Sequence, residues 1–144
     1  MAEPMPITAE HSVCRSEQLA ERGTAVSWEL RQYGQPVRAF ALRFQGRVVA
    51  YLNRCAHVPS ELDWQPDEFL DHDREWIICS LHGATYDPRN GRCVAGPCPG
   101  GRLTPVAVSE HGGQVWWRPS GDLKPIHPGP GQGTGAPVSS PPPR

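Results

Sequence analysis

Apolar and polar positions alternate through much of the first half of the chain with the period of strands. Val26, Trp28 and Leu30 alternate with Ser27, Glu29 and Arg31, which predicts a strand with one buried face. Residues 37–44 and 47–53 are two more apolar-rich runs, and Gln45-Gly46 between them predicts a hairpin that delivers the chain to Cys55. Trp76-Ile77-Ile78 reads as a short buried strand, residues 84–87 as the start of another, and residues 104–109 and 114–118 as a closing hairpin across His111-Gly112-Gly113. Pro88-Arg89-Asn90-Gly91 has the residues of a tight turn. Only residues 16–21 suggest a short helix, with Ser16 as its cap. The expectation is an all-β chain.

Composition limits how much else the chain can be. At 144 residues and 38% hydrophobic content it can bury one core, and a second catalytic domain does not fit. Half of the residues from Pro119 to Arg144 are Pro or Gly, so that stretch cannot bury enough surface to offset ordering entropy. The division expected is therefore a flexible start over 1–6, a domain over 7–118 and a disordered Pro/Gly-rich tail over 119–144, removable without harm to the domain. A net charge of −1 offers no basic field for nucleic acid, and no run of apolar residues is long enough to span a membrane. The first ten residues hold two acids and no basic or apolar run, unlike a signal peptide, which points to the cytoplasm. In that reducing compartment the five cysteines are expected to serve as ligands or packing rather than in disulfides. Cys14 is expected to pack, and Cys93 and Cys98, though near enough in sequence to bridge, are expected to stay unbridged.

Two short loops carry the chemistry. Cys55-Ala56-His57 and Cys79-Ser80-Leu81-His82 each offer one thiolate and one imidazole. Two Cys and two His also satisfy zinc, but the common zinc spacing pairs Cys with Cys and His with His. Here each loop is mixed. That suits a cluster of two unlike irons, one taking both sulfurs and the other both nitrogens from opposite sides.

These residues resemble the signature of Rieske 2Fe-2S proteins. The likeness continues from His82-Gly83 into Tyr86-Asp87, Gly91 and Gly96-Pro97. The run from Asn53 to Trp64 with Cys93-Val94-Ala95-Gly96-Pro97-Cys98 is similar to small stand-alone bacterial Rieske proteins, and the resemblance covers residues 7–118. It implies a Rieske-type fold of antiparallel sheets with a small cluster-binding part inserted over about 53–99. It also implies one 2Fe-2S cluster held by Cys55, His57, Cys79 and His82, with Tyr86 donating to a cysteine sulfur and Gly96 and Pro97 in a loop that covers the cluster. One departure is the 21-residue segment 58–78 between the two loops, longer than in many family members. It holds seven acids and the single base Arg74, and reads either as a solvated connection with Trp64, Phe69 and Leu70 tucked inward or as a steering surface for a basic partner. His72 within it reads as a surface residue.

With every metal position filled by protein or sulfide, such a centre leaves none for a substrate and can only pass single electrons. The resemblance implies a ferredoxin-like carrier between a reductase and a terminal oxidoreductase such as an oxygenase, with no small-molecule substrate of its own. The alternative is a redox or iron-sulfur sensing subunit whose cluster state controls partner binding. High-potential Rieske proteins carry an extra Cys in each ligand loop and a Ser two residues after the second His, and this chain has Ala84 at the latter place. Missing hydrogen bonds to sulfur lower a cluster's potential, as does nearby negative charge, so a midpoint of about −150 to +50 mV is expected within the Rieske range.

Overall fold

The computed structural model describes residues 10–56, 60–79, 83–97 and 100–126. Its strands are β1 (His11–Arg15), β2 (Val26–Gln32), β3 (Gln35–Phe44), β4 (Arg47–Leu52), β5 (Ile77–Ile78), β6 (Thr85–Tyr86), β7 (Cys93–Ala95), β8 (Ala107–His111), β9 (Gln114–Arg118) and β10 (Leu123–Pro125). They form three antiparallel sheets in the orders β1-β9-β8, β10-β2-β3-β4 and β5-β6-β7. The chain is all-β, as its pattern predicts. The predicted helix over 16–21 is instead one 3-10 turn, Ser16–Gln18, in which the Gln18 side chain accepts from the Arg15 N–H at 2.8 Å.

The β3–β4 hairpin is the hub, and its turn explains its register. Gln45 and Gly46 both take positive φ, 56° and 79°, the primed turn whose twist matches the flanking strands. Arg47 then faces Phe44, and each later pair follows to Leu52 against Ala39. Successive side chains leave a strand on opposite faces. Here both faces are buried: Ala39, Ala41, Ala50 and Leu52 join one core with Val115 and Trp117, while Phe40, Leu42, Phe44 and Tyr51 join a second with Ile77, Cys79 and Tyr86. That is why residues 39–42 read as a continuous apolar run rather than an alternation.

The sheets are stitched together by backbone bonds at the end of β4. Leu52 N–H donates to Thr104 O at 2.9 Å and Val106 N–H to Ala50 O at 3.0 Å. The chain then enters the first ligand loop.

Ordered chain continues past Arg118, where the change in composition places the tail. Leu123, only 2% exposed, anchors β10 against β2 and packs in the same core as Leu30 and Trp117. A buried leucine on a paired strand outweighs the local Pro/Gly content. Residues 1–9 and 127–144 lie outside the described residues. Among the described residues no helix is long and apolar enough to cross a membrane.

Candidate metal centre

The two ligand loops are closed by the same backbone bond. Cys55 N–H donates to Ser60 O, and Cys79 N–H donates to Ala84 O, both at 2.8 Å and both spanning five residues. Gly83 N–H adds a second bond to Cys79 O at 2.9 Å. Gly83 sits at φ 73°, where a side chain would be strained. Cys55 and Cys79 are both buried in the core that also holds Tyr86 and Ala84. His57 and His82, within these loops by sequence, lie outside the described residues.

Tyr86 connects the loops. Its side chain is fully buried, and Ala56 N–H donates to the phenol oxygen at 3.0 Å. That bond occupies a lone pair and leaves the phenol hydrogen for Cys55 Sγ, 3.3 Å away. Burial, the bond to Cys55 and the charge of both cysteine sulfurs push the Tyr86 phenol well above its ordinary range, with only the Ala56 N–H acting against them. The hydroxyl therefore keeps its proton for sulfur at any working pH.

Gly96 lies against the second loop. A Cβ at Gly96 would stand 2.8 Å from both Ala84 Cα and Gly83 O, and its φ is 92°. Backbone alone can approach so closely. Gly96 and Pro97 are themselves exposed, on the outer side of this contact. The sharp turn follows β7 directly, and Cys93 on that strand is disulfide-bonded, contrary to the expectation from compartment. Closeness in space favours such a bond, and compartment alone does not exclude it. Cys98 lies outside the described residues.

Polar residues that sequence reasoning passed over hold this frame in place. Buried Asn53, at the exit of β4, accepts from Leu62 N–H at 2.7 Å and donates to Asp63 at 3.1 Å, so it ties the first loop to the segment that follows. The signal was available: an amide at the end of an apolar strand is costly to bury unless it is bonded on both sides. Tyr51 donates to Pro88 O at 2.7 Å and fixes the turn after β6, and burial followed by the nearby Asp87 charge pushes its phenol up to about 12.

The acidic segment is largely stitched to the protein. Asp67 accepts from Ser27 Oγ, Glu68 from Thr24 Oγ1 at 2.9 Å, and Glu75 from Arg22 at 3.0 Å. Asp71 caps its own turn by accepting from Glu75 N–H at 2.9 Å and Trp76 N–H at 3.3 Å, and Asp63 accepts from Asp67 N–H at 3.2 Å. Among the described residues only Glu61 and Asp73 of the seven acids lack such a side-chain bond. Phe69 and Leu70 are buried as expected, but Trp64 is 46% exposed and its indole N–H donates to Leu70 O at 3.0 Å. His72 is exposed. Elsewhere Cys14 is buried, which raises its thiol and keeps it unreactive.

A model of the Rieske [2Fe-2S] domain matches residues 9–122. The chain belongs to the Rieske [2Fe-2S] domain family. No curated protein matches it. Among solved structures, the ferredoxin of carbazole 1,9a-dioxygenase from Nocardioides aromaticivorans IC177 is 23% identical with a TM-score of 0.61, over 78% of this chain and 100% of that one. The ferredoxin of Sphingomonas yanoikuyae B1 is 20% identical with a TM-score of 0.58, over 78% and 100%. The terminal oxygenase of carbazole 1,9a-dioxygenase from Nocardioides aromaticivorans IC177 is 26% identical with a TM-score of 0.60, over 83% of this chain but 32% of that one.

The cofactor of this Rieske domain is one Rieske-type 2Fe-2S cluster. The residues present fit it. Two cysteine sulfurs are withdrawn from water on matched loops, an O–H points at one of them, and a glycine lets another loop close over the second. Reducing such a cluster adds negative charge at sulfur, which the Tyr86 O–H is placed to stabilise.

Proposed function

We propose that this Rieske domain is a ferredoxin-like one-electron carrier in which Cys55 and Cys79 hold one iron and His57 and His82 the other. The observation that carries this reading is the matched pair of closed loops, each with a buried cysteine and a histidine two or three residues on, the first of them presenting Cys55 Sγ to the Tyr86 hydroxyl. When bound, the cluster takes up and releases one electron. The chain's own residues exclude water from the cysteine sulfurs, keep the Tyr86 O–H donating to Cys55 Sγ and keep the Gly96 turn against the second loop.

The partners proposed are a protein reductase as donor and a terminal oxidoreductase, such as an oxygenase, as acceptor. Two comparisons support this. The chain aligns with the full length of two ferredoxins and with about a third of an oxygenase. A related fold also occurs in a complex of reduced oxygenase and oxidized ferredoxin. A cytoplasmic setting remains part of the proposal. The test is to purify the protein with its cluster, record the reduced-state electron paramagnetic resonance spectrum, and mix it with a ferredoxin reductase and then an oxidised Rieske oxygenase. A Rieske spectrum with rapid reduction and reoxidation is expected. Cluster-dependent binding of a partner with no electron exchange would instead establish the sensing role.

A further inference from the structure

The two loops close alike but differ at the closing residue. Ser60 and Ala84 hold the same place, five residues past the cysteine, and each gives its carbonyl to the cysteine N–H at 2.8 Å. The Ala84 side chain ends in a methyl group, fully buried beneath Gly96. The Ser60 hydroxyl is buried too, and among the described residues none hydrogen-bonds to it.

A buried hydroxyl without a partner costs about 1–3 kcal/mol, and native proteins rarely leave one so. Its neighbours do not supply the partner. The Asn53 amide, which shares the loop, is committed to Leu62 and Asp63. Cys55 Sγ has Tyr86 as its hydroxyl donor and makes no hydrogen bond with Ser60 Oγ. A loop that carries one orphaned hydroxyl at its closure, beside a buried metal-ligating cysteine, implies an acceptor belonging to the metal centre.

We propose that Ser60 Oγ–H donates to an inorganic sulfide of the cluster and raises its reduction potential. Ser60 thus supplies from the first loop the hydroxyl that Ala84 lacks in the second. It is a positioning and tuning residue, not a ligand. This rests on the cluster ligation proposed above. The physical effect is the usual one: an O–H aimed at sulfide stabilises the extra negative charge of the reduced state.

The test compares the full-length holoprotein with Ser60→Ala, and the shape-matched pair Ser60→Thr and Ser60→Val, by protein-film voltammetry and by electron-nuclear double resonance of the reduced state in H2O and D2O. Ser60→Ala should keep the Rieske spectrum and lose up to tenfold in the reduction equilibrium constant, which is about 59 mV for one electron. It should also lose one exchangeable proton coupled to the cluster. Thr should retain that proton and most of the potential, and Val should lose both. An unchanged midpoint in Ser60→Ala with an intact spectrum overturns the proposal. If the Ala variant fails to assemble, equal midpoints for Thr and Val overturn it equally. A wild-type protein without any Rieske spectrum would sink the ligand assignment instead.

Discussion

The two faces of the β3–β4 hairpin are both buried, yet they are built differently. One face is small: Ala39, Ala41, Ala50 and Leu52 pack in one core with Val115 and Trp117 of β9, and the Arg43–Glu110 ion pair at 2.7 Å joins β3 to β8 beside it. The other is aromatic and carries polar cargo: Phe40 stacks on Phe69 at 3.7 Å, Tyr51 donates to Pro88, and Cys55, Cys79 and Tyr86 meet beneath them. The difference shows a division of labour. The first face needs only its own side chains. The second is assembled from loops and two- or three-residue strands that bury little by themselves, so a bound cluster would add to its order.

The sharpest way to break this comparison is to remove a ligand. Cys55→Ser and His57→Ala should each abolish the Rieske spectrum completely. In the same variants hydrogen exchange should rise sharply over β5, β6 and β7 and much less over β1, β8 and β9. Equal loss of protection on both sides would mean that the two faces form one cooperative unit.

Packing substitutions come next. Phe40→Ala removes a fully buried ring from the cluster face and should cost about 3–5 kcal/mol in denaturant unfolding of the holoprotein. Ala41→Leu, next to it on the opposite face, overfills a close contact and should cost about 1–3 kcal/mol. A larger loss from Ala41→Leu would reverse the ranking of the two faces. Truncation after Arg118 removes β10 from the edge of the shared sheet, and with it the burial of Leu123. About 1.5–3 kcal/mol of stability should go, whereas truncation after Ile126 spares this strand and should leave the melting temperature nearly unchanged.

How far these features are legible in the sequence depends on how local their causes are. The β3–β4 hairpin is visible because Gln45-Gly46 and the flanking runs are adjacent. The cysteine loops are visible because their spacing is short. β1 and β10 are invisible because they pair with β9 and β2, partners about a hundred residues away, and carry no alternation of their own. Seven acids in one segment look like a charged surface, since nothing local says that Thr24, Ser27 and Arg22 will come back to meet them. Ser60 looks ordinary until the closure of its loop is known.

A subtler difference separates the two ligand loops themselves. Ala84→Ser would add a hydroxyl at the closure of the second loop. If that hydroxyl reaches sulfur, the midpoint should rise from the expected range of about −150 to +50 mV. Voltammetry near neutral pH reads both numbers. With a donor at Ser60 but none at Ala84, a wild-type midpoint above about +200 mV would contradict the reasoning from the missing second-loop donor. The space is tight, because Gly96 already lies against the Ala84 backbone, so the variant should be checked for cluster content first.

The smallest effect expected is electrostatic, and it sharpens the contrast between the cluster face and its acidic flank. If all seven acids of residues 58–78 faced water freely, they would steer a basic partner strongly, and electron delivery would fall steeply as salt rose. The structure ties five of them into turns, hydroxyls and arginines, and Arg22 and Arg74 place positive charge among them. Tied carboxylates still carry charge, but paired ones present a much weaker field beyond the Debye length of about 8 Å at physiological salt. Second-order rates with a basic partner should therefore fall only at the low end of the roughly ten- to thousandfold range known for steered association. The double variant Glu61→Gln with Asp73→Asn should reduce that slope while leaving stability unchanged. Asp71→Asn should also lower stability, because it weakens a turn cap as well as removing a charge whose bonded partners are neutral N–H groups. Stopped-flow reduction across a salt series reads the slope, and denaturant unfolding distinguishes the two. A steep slope that survives the double variant would place the steering charge elsewhere on the cluster face.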